Sequence, residues 1–275
     1  MYQDMKAKKR FLRWLYRRGP VMRPGMKGLE LIFRLGKIPL VRRLNPWLDP
    51  GKNEMSYLPI NRSLNAASTI LPHQIIHEFI DMTPYHVVSE TCGCRLAQRC
   101  EHFPDSIGCL FMGATAPGLS PGTMKRIDRD GAHRHVETVI AAGLTPVIGK
   151  IRVDNFIFLE RDRERLLSVC FCCHCCCMMG YFSHIPAQNL DEVMRPIEGL
   201  SIRVTGACTG CGTCVDYCRF GAITIRGGRA VHGDRCRGCG RCERYCPNGA
   251  ISITLDNPRF KDEVIRRISA HVDVT

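Results

Sequence analysis

No run of the sequence is long and apolar enough to cross a membrane, which takes roughly 20 mostly apolar residues. The charge-free stretches 106–124 and 166–190 fail on content: glycine and proline break the first, clustered thiols and polar residues the second. Residues 138–149 are apolar but too few. A secretory signal is missing as well, because the apolar stretch 11–15 is interrupted by Arg13. The pairs Arg17–Arg18 and Arg42–Arg43 lack the following apolar segment that a twin-arginine signal requires. No glycine-rich phosphate loop opens a helix after a strand, so neither a nucleotide nor a flavin site is predicted. The histidines lack a nucleophile motif, and no catalytic residue is assigned. Acidic residues are few: 26 Asp and Glu stand against 39 Lys and Arg, a formal charge of +13.

That charge is uneven. Residues 1–45 hold 13 Lys or Arg against Asp4 and Glu30, a net of +11, which leaves only +2 for the other 230 residues. A basic arm on a nearly neutral body predicts a partner for the arm. What the chain has in excess is cysteine, 18 of 275 residues. Without an export signal these belong in a reducing cytoplasm, where clustered thiols read as metal ligands and not as disulfide partners.

The expected class is α+β, in four stretches. Residues 1–65 read as a basic amphipathic helical arm, with helical segments at 5–18 and 26–44 separated by the breakers Gly19–Pro20 and Pro24–Gly25. Residues 66–198 read as a cysteine-rich mixed α/β body with helices over 72–82 and 132–143 and strand-like runs at 145–153, 156–159 and 165–171. Residues 199–255 form a module of their own, and 256–275 a C-terminal helix or tail.

The module carries an internal repeat. Cys208 to Ile225 reads CTGCGTCVDYCRFGAITI and Cys236 to Ile253 reads CRGCGRCERYCPNGAISI, 28 residues apart. In each copy three cysteines at equal steps allow one tight loop to hold three corners of a cube, and the fourth is thrown clear of it. Gly210, Gly212, Gly238 and Gly240 let the backbone wrap sulfur and turn amide N–H groups toward it. Paired zinc knuckles, by contrast, use two C-x2-C units.

This repeat resembles the bacterial two-cluster ferredoxins, whose fourth cysteine ligates the other cluster. The resemblance implies two [4Fe–4S] clusters, one held by Cys208, Cys211, Cys214 and Cys246, the other by Cys236, Cys239, Cys242 and Cys218. Pro247 follows the fourth cysteine as in that family. Arg219 replaces the proline in the first copy, a cation expected to favour the reduced form of the second cluster.

Ten further cysteines lie upstream: Cys92, Cys94, Cys100 and Cys109, then Cys170, Cys172, Cys173, Cys175, Cys176 and Cys177. Three adjacent thiols are poor candidates for buried small hydrophobes. Neighbouring residues of an extended chain face opposite ways, so one short segment can feed two sites or two faces of one cluster. A further metal centre is predicted, an iron–sulfur cluster first and zinc second, with its ligand subset open. His174, inside the run, is either a ligand or a hydrogen-bonding neighbour. His133 and His135 share no i, i+4 face and read as surface residues. With CGCR, GCLFMG, the AGL at 142–144 and CFCCHCCC, residues 70–255 also resemble a poorly characterised family of cysteine-rich iron–sulfur proteins of anaerobic microbes.

The expected function is electron transfer, as a carrier or as the wiring subunit of a redox complex. Two alternatives remain: a reductase with the upstream centre as its active site, and a zinc-stabilised binding module. A redox protein is the expected partner. The arm, with aromatics and aliphatics among its cations, fits an anionic membrane surface on the cytoplasmic side, an acidic redox partner, or the protein's own body. Nucleic acid is disfavoured, because no binding motif accompanies the charge.

Overall fold

The computed structural model describes residues 11, 14, 19–60, 71–119, 124–158, 162 and 164–274. Six strands, β1 (Glu54–Tyr57), β2 (His86–Ser89), β3 (Leu110–Met112), β4 (Met124–Ile127), β5 (Thr145–Lys150) and β6 (Leu167–Cys172), form one sheet. Its order is β1-β5-β6-β3-β2-β4 and every neighbouring pair is antiparallel. The two longest strands, β5 and β6, are buried along their whole length. Both faces of the sheet are therefore covered at its centre. Among the described residues seven helices accompany it: α1 (Gly19–Leu35), α2 (Pro39–Leu44), α3 (Gln74–Met82), α4 (Gly93–Gln98), α5 (Arg129–Ala141), α6 (Arg152–Ile157) and α7 (Ala187–Val193).

Helix α3 buries Ile75, Ile76, Phe79 and Ile80, an i, i+1, i+4, i+5 stripe, and packs on α5. Helix α5 starts where the Asp128 carboxylate accepts the Gly131 N–H at 2.7 Å, a side-chain N-cap. Helix α1 packs across α4 and the 3-10 helix Met178–His184, with Phe33 edge-on to Phe182 at 4.8 Å.

Several expectations change. The helix expected at 5–18 lies almost wholly outside the described residues, as does the boundary expected near residue 65. Helix α1 runs through both pairs of breakers: Pro20 falls in the first turn, whose N–H groups lack intrahelical acceptors anyway. Pro24 forfeits one more bond, offset by burial of Met26 and Phe33. Residues 54–57, expected within a helical arm, are the edge strand β1, because Met55 and Tyr57 go into the core and Glu54 pairs with Arg267 at 2.7 Å. The strand-like run at 145–153 stops at Lys150, and Phe156 lies in α6. The Asn53 side chain accepts the Arg152 N–H at 3.0 Å and starts a helix there despite the strand-like composition.

The repeat folds as two strand–loop–helix–strand units. The first is β7 (Leu200–Val204), α8 (Thr213–Asp216) and β8 (Ile223–Arg226); the second is β9 (Arg229–His232), α9 (Arg241–Arg244) and β10 (Ile251–Leu255). Strand β7 pairs with β10 and β8 with β9, so each copy supplies one strand to each ribbon. The chain then returns to the body: α10 (Phe260–Ser269) packs on α3 and β1 and buries Phe260, Val264 and Ile268. The repeat is thus set between two segments of the body, late in sequence but not at its end.

Candidate metal centres

The upstream cysteines divide where the backbone turns. Cys92 caps α4 and Cys94 lies in its first turn, but Arg99 takes a left-handed conformation (φ 52°) that swings Cys100 away from both. In β6 alternate residues share a face, so Cys170 and Cys172 lie together and Phe171 opposite, where its ring meets His135 of α5 at 5.4 Å. Cys173 begins the turn that follows.

Cys100, Cys173, Cys175 and Cys176 come together, their sulfurs all within 4.8 Å of one another. Cys100 and Cys175 are 3.4 Å apart, and the Cys176 N–H donates to the Cys173 sulfur at 3.3 Å. Burial raises the Cys173 and Cys175 thiols, Cys175 to about 12. Four cysteines and no carboxylate suit a thiophilic metal.

The other six form a row of neighbouring thiols: Cys170, Cys109, Cys92, Cys94, Cys177 and Cys172. Cys177 and Cys172 are 2.8 Å apart. Hydrogen bonds from Cys109 and Cys94 hold Cys92 well below the ordinary thiol range, and those from Cys172 and Cys94 do the same for Cys177. Those two positions favour thiolate. Asp154, buried beside this row, has its carboxyl pushed up to about 7 by desolvation.

The run CFCCHCCC therefore serves both sets: Cys170, Cys172 and Cys177 go to the row, and Cys173, Cys175 and Cys176 to the quartet. His174 joins neither. It shares a 3.2 Å hydrogen bond with the Tyr245 hydroxyl and packs against Tyr217 and His102.

Two buried cations attend these thiols. Arg95, 1% exposed, donates to the carbonyls of Pro104 (2.8 Å), Phe171 (2.9 Å) and Ile107. Arg241, 3% exposed, donates to the carbonyls of Cys173 (3.0 Å) and Cys172 (3.4 Å) and lies 5.6 Å above the Tyr57 ring. Neither has a carboxylate partner among the described residues. A buried guanidinium calls for a counter-charge: Arg95 has one in Cys92, which is held toward thiolate, and Arg241 stands among Tyr57, Cys239 and Cys172.

In the repeat, four sulfurs surround each of two cavities. Cys208, Cys211, Cys214 and Cys246 rim one, with Ile225, Pro247 and Ile251. Cys218, Cys236, Cys239 and Cys242 rim the other, with Phe220, Ile223 and Arg241. The copies match closely: Gly210 and Gly238 have φ 67° and 65°, Gly212 and Gly240 82° and 77°. At the fourth cysteine, the Ala222 N–H donates to Cys218 and the Ala250 N–H to Cys246, each at 3.3 Å. Apolar walls, four thiols and N–H donors aimed at sulfur fit a cluster of iron and sulfide.

Residues 207–250 match the family model described as 4Fe-4S dicluster domain. This segment is an iron–sulfur domain. No curated protein matches the chain. The dicluster domain docks on the body through arginines of its second copy: besides Arg241, Arg235 donates to the carbonyls of Ile185 (3.0 Å) and Ser183, Arg237 to Met194 (2.9 Å), and Arg244 to Gly143 (2.8 Å). The first copy has Ala207, Thr209, Thr213 and Asp216 at those places. Comparing the copies for arginine would have shown which one supplies most of the guanidinium contacts with the body. Arg219, the departure from the family pattern, lies against Gly180, where a Cβ would come within 2.5 Å of its guanidinium. Phe220 joins the body's core edge-on to Tyr57.

Proposed function

We propose that this is an electron-transfer protein in which the dicluster domain holds two [4Fe–4S] clusters and exchanges electrons with an iron–sulfur centre at the upstream cysteines. The outer cluster would use Cys208, Cys211, Cys214 and Cys246, the inner one Cys236, Cys239, Cys242 and Cys218. The observation that carries this reading is Arg241, one residue from Cys242 and hydrogen-bonded to the carbonyls of Cys172 and Cys173. It ties the inner cavity to the segment shared by both upstream thiol sets. When bound, the clusters supply one-electron redox chemistry. The chain's own residues do the rest: apolar walls exclude water, N–H donors hold sulfur, and buried Arg237 and Arg241 favour the more negative, reduced state on the inner side. Cys211 is exposed, so the outer cavity is where a redox partner makes contact.

Two clusters require about eight irons per chain. The full chain, purified without oxygen, is expected to be brown and to exceed eight irons, with sulfide in proportion. Replacing Cys173 and Cys175 by Ser should lower iron toward eight and remove one set of paramagnetic resonance signals. A count of eight that these changes leave alone would refute the upstream centre; a colourless zinc protein would refute the whole reading. A second reading of the quartet has its own support. A single tetrahedral ion with metal–sulfur bonds of about 2.3 Å spaces its sulfurs about 3.8 Å apart, close to the observed 3.4 and 3.5 Å contacts. Metal at the quartet without matching sulfide would select it.

The partner of the basic arm is, on this reading, an anionic membrane surface. Leu31, Leu35, Ile38, Leu40 and Leu44 are exposed among Arg34, Lys37, Arg42 and Arg43, with Leu40 67% and Leu44 73% accessible. Among the described residues no helix is long and apolar enough to cross a membrane, so the arm would lie on the surface.

A further inference from the structure

Helices α3 and α5 bring together four side chains at helical spacing, remote in type from the thiol sites. His73, at the start of α3, and His77 stand at i, i+4, and so do His133 and Glu137 of α5. His77 Nδ1 lies 2.6 Å from His133 Nδ1, the two rings nearly parallel at 13°. His77 Nε2 lies 3.0 Å from a Glu137 carboxylate oxygen, and His133 Nε2 lies 3.1 Å from Asp81.

The proton count of this row is short by one. Three contacts run in line between two carboxylates: Asp81 to His133, His133 to His77, and His77 to Glu137. Each neutral imidazole has one N–H, so two protons serve three contacts. If His133 donates to Asp81 and His77 donates to His133, a bare His77 nitrogen faces the Glu137 carboxylate. That pair repels unless a third proton or a metal ion lies between them. At the Asp81 end Arg129 already stands 3.8 Å from the carboxylate. At the Glu137 end a third donor converges: one ligating atom each of His73, His77 and Glu137 lie within 4.8 Å of one another. His73 Nδ1 is buried with no hydrogen-bond partner among the described residues.

We propose that His73, His77 and Glu137 bind a divalent transition-metal ion, with zinc as the probe, at a site independent of the iron–sulfur centres. Two imidazoles and a carboxylate suit zinc or ferrous iron and leave coordination positions to water. The Glu137 side chain is 62% exposed and that of His77 22%, so the site opens on solvent. His133 does not touch the metal. It is a positioning residue: by accepting the His77 Nδ1–H and donating to Asp81 it fixes the tautomer that turns His77 Nε2 to the ion, the arrangement that outer partners of metal-bound histidines supply. The ion would clamp α3 to α5.

The test uses the full chain, purified without oxygen and with its iron in place, dialysed against zinc and a competing chelator. Wild type is expected to hold one zinc per chain more than His77→Ala, at equal iron, and X-ray absorption at the zinc edge should show nitrogen and oxygen neighbours for that equivalent. Glu137→Gln, at an exposed position that does not threaten folding, should weaken zinc at least tenfold. His133→Ala should weaken it about 10- to 100-fold without contacting it. Equal zinc in wild type, His77→Ala and Glu137→Gln would overturn the site, as would a zinc spectrum of sulfur neighbours alone. Loss of iron upstream would leave this inference untouched.

Discussion

Asp154 shows how one residue couples the thiol row to pH. Burial pushes its carboxyl from 3.8 up to about 7, so between those values the folded protein holds a proton that the unfolded chain releases. The native state binds more protons in that window, and stability falls as pH rises through it. Asp154→Asn removes the charge and with it the slope. The variant should match wild type near pH 4 and be the more stable at pH 8, by at most ~4 kcal/mol. Unfolding midpoints measured anaerobically at both pH values check this, and a gap that stays constant would contradict it. At the same scale a single left-handed residue, Arg99, decides that Cys100 joins the quartet while Cys92 and Cys94 join the row. Nothing in the spacing of the cysteines announces that conformation, because non-glycine residues take it rarely.

Among the elements, the repeat units differ in what they touch. Arg241→Met withdraws two hydrogen bonds given by a buried guanidinium and should destabilise the docked state by about 2–4 kcal/mol. Asp216→Ala, at an exposed place in the first copy, should stay within about 0.5 kcal/mol. Denaturant titration followed by loss of cluster absorbance compares them; equal effects would remove the second copy from the interface. The cysteines of the repeat were legible in sequence because spacing alone brings three thiols onto one short loop. Helices α3 and α5 and strand β6 were legible in sequence, whereas α1 was not, because the breakers Gly19–Pro20 and Pro24–Gly25 that were read as dividing two helices lie inside it. The sorting of upstream thiols was not, since it depends on the register of β6 and on the turn after it. The strand at 54–57 and helix α6 were misread because Arg267 and Asn53, distant in sequence, decide them. The four-residue spacing of His73 with His77, and of His133 with Glu137, was visible. Which helix α5 would face was not, and His133 looked like a surface residue when compared only with His135.

For the whole molecule, the dicluster domain is an inset. α10 returns to the sheet, where Arg267 meets buried Glu54 at 2.7 Å, so the body is completed only after the repeat has been made. The arm leaves the opposite end of the sequence with its apolar side uncovered at Leu40 and Leu44. Binding of the full chain to vesicles containing acidic phospholipid should be salt-sensitive, and should fall at least tenfold for Leu40→Glu with Leu44→Glu. Flotation assays read this directly. Equal binding by the double variant, or equal binding to neutral vesicles, would remove the membrane as the partner.

The segment shared by the quartet and the row has a consequence for wear. Cys172 and Cys173 are neighbours, and so are Cys176 and Cys177, with each pair split between the two sets. Over-oxidation of one thiol to its sulfinic acid is not reversed by ordinary reductants, and the displaced backbone would carry its neighbour out of the other set. Oxygen damage here would not stay where it began: the two sets would be lost together, as one unit of failure.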